Sequence, residues 1–340
     1  MTVALRILSA GRGVTLQDAG RFGYLRFGVS WAGPMDSLAH ATANHCVGAS
    51  HRATALEISA GALEATVEGG ALSIGLAGGA FDIRLDGRRL PPSVVAHVEP
   101  SSILSVRPGR DGAWCYLAVA GRIDTPPVMG SAATHARTGL GGIDGRELRP
   151  GDLLPIACAV ATGQTLEIET PHLQRRSERI RIVLGPQEDY FAPDQIEGFL
   201  SRSWSVSSRS DRMAYLLDGD PLAHEKSFNI VSDGIAMGAV QIPGDGRPIV
   251  LMADRQPTGG YPKIATVIGA DLGALAQLRP GAQLHFAAVT VPEAIEARRV
   301  QQETLQRPLV SRPLLRTEFS SEFLLGQDLI GGVADEGWPH

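Results

Sequence analysis

Lysine is almost missing from this sequence. Of 31 basic residues in 340, only Lys226 and Lys263 are lysines; the 36 acids leave a formal charge of −5. A net-acidic chain lacks the basic face that nucleic acid or an anionic membrane requires, so neither partner is expected. Cysteine is scarce as well. Cys46, Cys115 and Cys158 are odd in number and far apart. That excludes a disulfide framework and a zinc knuckle, and the three read as small buried hydrophobes. No run approaches the roughly 18 apolar residues of a spanning helix. Arg6 and Arg12 break the first apolar stretch before a secretory leader can form. A cytoplasmic, soluble protein is expected, and at this length two domains.

Familiar catalytic signatures are also missing. There is no Gly-x-x-x-x-Gly-Lys-Ser/Thr phosphate loop, so ATP is not expected to bind this chain alone in that way. Gly139 and Gly141 begin a dinucleotide-like run, but the sixth position is Asp144 and no βαβ unit surrounds it. Ser30 has the wrong spacing for a nucleophile elbow. The nine histidines include no His-Glu-x-x-His pair, and His40 and His45 lie on different helical faces, so no metal site is expected. His97, His135 and His172 show no partner spacing and read as structural or exposed.

Glycine and proline are plentiful, at 40 and 22 residues, and they punctuate the chain too often for long helices. Between them lie short Val/Ile/Leu-rich segments: 72–76, 81–85, 103–106, 114–119, 180–184, 248–252 and 265–268. Phe81-Asp82-Ile83-Arg84-Leu85 alternates with the period of a half-buried strand. The expected fold is mainly β: two β-barrel-like modules with a few short helices. Helices are expected from Asp36 as N-cap, from Pro193, over 271–277 and over 292–306. The polar, basic stretch 172–179 reads as a linker. It gives an N-terminal module over 1–172, a C-terminal barrel over 178–290 and an extension over 291–340. Leu148-Arg149-Pro150-Gly151 and Leu278-Arg279-Pro280-Gly281 echo each other, each a Pro-Gly turn before a closing strand. The echo fits either a duplication or a common turn.

Chemistry-bearing residues gather in four places: Thr15–Tyr24 with Gly33-Pro34-Met35-Asp36; 130–142; Ser210–Tyr215; and 241–246 with Asp254–Lys263. Each also has a structural reading. Gln17, Asp18 and Arg21 could brace the first module. Gly33–Asp36 could be a turn and helix cap, Asp211-Arg212 a surface ion pair, and 258–262 a tight connection between strands. In the fourth cluster, Gly259 and Gly260 let backbone N–H groups approach a ligand oxygen without a Cβ in the way. Gln256 offers an amide, Thr258 a hydroxyl, and Lys263 a point charge for an oxyanion or carboxylate.

Leu251-Met252-Ala253-Asp254-Arg255-Gln256-Pro257-Thr258-Gly259-Gly260-Tyr261-Pro262-Lys263-Ile264-Ala265 resembles the biotin-dependent carboxyltransferase family, also called allophanate hydrolase subunit 2 or KipA. Gln17-Asp18-x-Gly20-Arg21, Gly33-Pro34-Met35-Asp36 and Val183-Leu184-Gly185-Pro186-Gln187 add to the resemblance, which runs from about Leu5 to Phe286. It implies a cyclophilin-like C-terminal module and a subunit of an ATP-dependent 5-oxoprolinase opening a lactam to glutamate. Its implied partners are an allophanate hydrolase subunit 1-like companion and a LamB/YcsF-like subunit, with ATP bound through a partner. Alternatives are a urea-carboxylase-like transfer from carboxybiotin to urea or another amide, and a KipA-type regulator that binds a kinase inhibitor. Both reactions act on a planar amide carbonyl that gains oxyanion character, which calls for fixed donors in a dry pocket.

The expected site then has Lys263, Gln256 and Thr258 as catalytic residues. Gly259, Gly260, Tyr261, Gln241, Asp254, Arg255, Ser210 and Arg212 would hold the substrate. Four positions depart from the family pattern: Ala132 and Leu216 stand where the family usually has arginine, Pro257 where it has threonine, and Ala49 where it has asparagine. Apolar groups after residue 306, such as Phe319 and Phe323-Leu324-Leu325, are expected to pack back on the chain or on a partner.

Overall fold

The computed structural model describes residues 2–175 and 179–314. It is mainly β. A twelve-stranded sheet forms the N-terminal part, and seven strands close into a barrel in the C-terminal part. The N-terminal part is therefore an open, branched sheet, and only the C-terminal part closes.

Two strands organise the sheet, Leu72–Leu85 and Ile103–Val119, running antiparallel from Ile74 opposite Val119 to Leu85 opposite Leu104. The sequence read each of them as two short strands broken by Gly78-Gly79 and Pro108-Gly109. These breaks are irregularities inside continuous strands, at Gly78/Ala80 and Ala80/Asp82. A Cβ on Gly109 would stand 1.6 Å from the Ala80 carbonyl oxygen, so glycine here permits a backbone crossing rather than a turn.

In the barrel the order is Arg179–Leu184, Lys263–Val267, Ala239–Gln241, Ile249–Leu251, Ala214–Asp218, Trp204–Val206 and Gln283–Ala288. The last strand returns parallel to the first. Helix Pro193–Ser201 covers one side, with Phe199 stacked on Phe286 at 4.6 Å. The two echoing turns share one geometry. Gly151 has φ 92° and Gly281 φ 85°, and the carbonyls of Arg149 and Arg279 accept from Asp152 and Ala282. These are type II turns, in which proline presets the second position and glycine takes the left-handed third. They deliver Leu153–Ala157 to the sheet and Gln283–Ala288 to the barrel.

The sheet has its own core, around Leu5, Leu56, Ile74, Val106 and Leu117. A second core fills the barrel and continues into the sheet part through Met35, Ala39, Trp114 and Tyr116. The helix expected from Asp36 spans Ser37–Cys46, and the Asp36 side chain accepts from the Ala39 N–H. The linker stretch is anchored where it is described. His172 bonds Thr42, and Arg175 pairs with Asp36 at 2.5 Å; residues 176–178 lie outside the described residues. Helix Val291–Gln306 opens on a Thr290/Glu293 capping box, yet none of its residues is buried and Ile295 is 64% exposed. After it, Ser311–Pro313 pairs with Leu166–Ile168 at the edge of the first sheet. The chain thus folds back on itself as far as Leu314, and Phe319 and Phe323–Leu325 lie outside the described residues. Among the described residues no helix is long and apolar enough to cross a membrane. Cys115 is buried, but Cys46 is only partly so and Cys158 is exposed, against the expectation of three buried thiols.

Candidate functional site

Lys263 opens a barrel strand opposite Gln241, where the register shifts between Val240 and Gln241. Its side chain is 4% exposed, and Nζ reaches Asp233 Oδ2 at 2.6 Å and the Gly234 carbonyl at 3.4 Å. Gln187 clamps the lysine backbone twice: its Oε1 accepts from the Lys263 N–H, and its own N–H donates to the Lys263 carbonyl. Asp233–Gly234 forms a short ribbon with Thr258–Gly259. The hydrogen bond from Lys263, then that from the Gly234 N–H, hold the Asp233 carboxyl below the usual carboxylate range. Asp233 is 54% exposed, so the pair faces solvent on its acidic side.

The Gln241 amide lies beside this pair, on the strand opposite Lys263. Gln241 is buried, and its Nε2 donates to the Tyr261 carbonyl at 3.4 Å. A Cβ on Gly259 would stand 2.8 Å from Gln241 Nε2 and 2.6 Å from Ile235 Cδ1, so only glycine allows the ribbon this close. Gln256 Oε1 is sealed from solvent without a hydrogen-bond partner. Thr258 and Tyr261 are exposed. The mouth of the barrel therefore collects an ammonium, a carboxylate and several amides beside glycine backbone. Such a set can hold a planar amide by its oxygen and its N–H together.

The other predicted residues lie at the junction of sheet and barrel. Arg212 donates to Asp254 through Nε and Nη2 (2.9 and 2.8 Å), to the Gly33 carbonyl at 2.8 Å, and to Glu57 through Nη1. Glu57 also accepts from the Met35 N–H and the Tyr116 hydroxyl. Burial works against the Arg212 charge, but Asp254 and Glu57 more than restore it, and its pKa stands above the ordinary value. Burial raises the Glu57 carboxyl, and Arg212 only partly offsets that. Asp36 adds a further anchor, accepting from Arg175 and Gln277. The surface-pair reading of Asp211 and Arg212 fails here: Asp211 pairs with Arg137 on the exterior, and Arg212 pairs inside.

A cleft of about 740 Å³ opens beside this network, lined in part by Trp114, Thr134, Arg137, Ser210, Arg212 and Asp254. Ser210 exchanges hydrogen bonds with the Leu216 backbone and so braces a turn. Arg255 is buried beneath Trp31, 5.0 Å from its ring, and donates to the Ile235 carbonyl. Burial lowers its pKa to about 10. The structure thus brings Lys263, Gln241, Thr258, Gly259, Gly260 and Tyr261 together, places Arg212, Asp254 and Ser210 at the junction, and sets Arg255 between the two, under Trp31 and bonded to the Ile235 carbonyl. Sequence reasoning missed Asp233 and Glu57, and it did not place Gln187 in the site. A carboxylate inside the all-buried strand Ala55–Ile58 was the available signal for Glu57. For Asp233 the only cue was a lone Asp-Gly in an irregular segment.

Of the departures, Ala132 gives its N–H to Asp18 at 2.7 Å, and the Pro257 carbonyl accepts from Ile235. Leu216 packs with Ile249 outside the main cores. Gln17 and Arg21 brace the first module, Gln17 donating to the Thr134 carbonyl and Arg21 to those of Val128 and Ala133.

Residues 27–288 match the family described as carboxyltransferase domain, subdomain A and B. The chain belongs to that family. Within it, the C component of the Escherichia coli K12 5-oxoprolinase is 38% identical over 308 residues, covering 89% of this chain and 97% of the relative. The corresponding 5-oxoprolinase component of Haemophilus influenzae is 35% identical over 293 residues, covering 86% and 94%. The crystal structure of the K. lactis urea amidolyase superposes with a TM-score of 0.80 at 27% identity. It covers 89% of this chain, which spans 20% of that much longer one. As a carboxyltransferase-domain protein the chain shares its sheet-plus-barrel plan with the matching part of the K. lactis urea amidolyase.

Proposed function

We propose that this chain is the C-type component of an ATP-dependent 5-oxoprolinase, opening the 5-oxoproline lactam to glutamate together with companion subunits. The observation that carries the reading is the Lys263–Asp233 pair, held at the barrel mouth by Gln187 and flanked by Gln241 and Gly259. Likeness to two bacterial C components over nearly their whole length supports it. In this reading Lys263 Nζ donates to the lactam oxygen as negative charge develops there, and Asp233 keeps the ammonium aimed. Gln241 and the Gly259-Gly260 backbone orient the ring. Water adds to the carbonyl carbon, the C–N bond breaks, and the nitrogen leaves as the amine of glutamate. ATP is bound by a partner, and the companions are an allophanate hydrolase subunit 1-like protein and a LamB/YcsF-like protein.

The test is glutamate release from 5-oxoproline with ATP by the co-expressed complex, against the partners alone and against a Lys263→Met complex. Turnover that depends on this chain and falls with Lys263→Met is expected. Wild-type turnover in the variant would remove Lys263 from the chemistry. A second reading, carboxyl transfer from carboxybiotin to urea or another amide, is favoured by the fold shared with the K. lactis urea amidolyase. Bicarbonate-dependent ATP turnover with a biotinylated partner and urea would select it.

A further inference from the structure

Aromatic residues are only 5% of this chain, yet four of them, Phe22, Tyr24, Phe27 and Trp31, fall within ten consecutive positions. They are not core residues. Phe22 is 47% and Phe27 64% exposed, and Tyr24 and Trp31 are half-buried. Phe22 leans on Trp31 at 5.1 Å, and Tyr24 on Phe27 at 6.5 Å. Each exposed ring carries a guanidinium: Arg52 over Phe22 at 5.4 Å and Arg26 over Phe27 at 4.7 Å. The rings are displayed by a segment that turns at Gly20, Gly23, Gly28 and Gly33, all with positive φ.

Charge is one-sided here, although the chain as a whole is acidic. Between Asp18 and Glu57 the only carboxylate is Asp36, which is fully buried and paired with Arg175. The same stretch contributes Arg26 and Arg52 to the surface. Large exposed rings with arginine, and no acid of the same segment beside them, have the composition of a protein-interface hot spot. The patch is also continuous with the motif loop, because Trp31 rests on Arg255, eight residues before Lys263.

We propose that the Phe22–Trp31 face, with Arg26 and Arg52, is the docking surface for a companion subunit that offers an apolar socket rimmed by carboxylates. This rests on the multi-subunit reading above. The socket would desolvate Phe22 and Phe27, and its acids would meet the two guanidinium groups already fixed over the rings. Docking there would place the companion beside the loop that leads to Lys263.

The experiment measures binding of the purified allophanate hydrolase subunit 1-like companion to the full chain by titration calorimetry, without substrate or ATP. The chains compared are wild type, Phe27→Asp, Phe22→Asp and the double change Arg26→Glu/Arg52→Glu. Each aspartate variant is expected to weaken binding about 30-fold or more. The arginine pair should weaken it about tenfold, with most of its effect lost at high salt. All these positions are on the surface, so circular dichroism and melting of the isolated variants should match wild type. Wild-type binding in the well-folded aspartate variants would overturn the proposal. So would unchanged companion binding with loss of self-association, which would make the face a contact between two copies of this chain. Because binding is read apart from turnover, the two readings fail separately. A complex that needs Phe27 but releases no glutamate removes the reaction and keeps the interface. Normal binding and turnover in Phe27→Asp removes the interface alone.

Discussion

The motif loop from Asp254 to Lys263 takes part in two ion pairs that use similar groups to opposite ends. At its start, Asp254 meets Arg212, which also holds Glu57, at the junction; at its end, Lys263 meets Asp233 at the barrel mouth. The first network is largely buried, with Glu57 fully so and Asp254 8% exposed, while Arg212 and Asp254 border the cleft. The second has a buried cation and a carboxylate that is half in water. At the junction Arg212 and Glu57 each have several fixed partners and Asp254 is held twice by Arg212, so the network ties sheet to barrel. At the mouth one partner faces solvent, where a substrate oxygen can join the pair. Exposure of a single carboxylate separates a structural pair from one suited to chemistry.

The sharpest test of that difference is to remove each cation. Arg212→Met leaves Glu57 and Asp254 buried without a counter-charge, and about 3–5 kcal/mol of stability should be lost, read from urea unfolding midpoints. Lys263→Met leaves an Asp233 that water can solvate. Its stability should stay within about 1 kcal/mol of wild type, while complex turnover falls roughly 10²–10³-fold. Equal destabilisation by the two changes would collapse the contrast.

Gly259→Ala probes the mouth without touching charge. The added methyl must push on Gln241 and Ile235, and a displacement of that kind should cost about 10–100-fold in kcat/KM with little change in melting. Unaltered kinetics would show that the ribbon and Gln241 do not need their present spacing.

A last prediction concerns the junction side and pH. His40 is buried against Tyr116 with Nε2 3.1 Å from the Gln17 carbonyl, and burial lowers its pKa from 6.5 to about 4. Between those values the unfolded chain binds the proton more readily than the folded one. Stability from the neutral imidazole is thus complete above about pH 6.5 and lost as pH falls towards 4, by at most about 1.4 kcal/mol per pH unit. Urea midpoints measured over this window should slope in wild type and flatten in His40→Gln. An equal slope in both would assign the acid sensitivity to other groups.

Much of the fold was legible because its signals are local. Asp36 caps a helix by a bond three residues on, and Pro150-Gly151 and Pro280-Gly281 specify their own turns. The glycines at 78 and 109 misled because a crossing of distant backbone uses the same residue as a turn. Closure of the barrel, against the open first sheet, depends on pairing Arg179–Leu184 with Gln283–Ala288, which no local pattern encodes. Within the site, Lys263, Gln241 and the paired glycines stood out by chemistry and rarity. Asp233 and Glu57 did not, since each gains its meaning from a partner thirty or more positions away. Arg212 was read as half of a neighbouring pair when its partners come from another part of the chain.

The strand Ser311–Pro313 carries a consequence for biosynthesis. It is made after the whole barrel, yet it pairs with Leu166–Ile168 of a sheet whose other strands left the ribosome long before. While translation continues, that sheet has an unpaired border able to recruit a strand from a neighbouring nascent chain. Among the described residues only Ser311–Pro313 covers this border of Leu166–Ile168, so that border stays open until translation has passed the barrel.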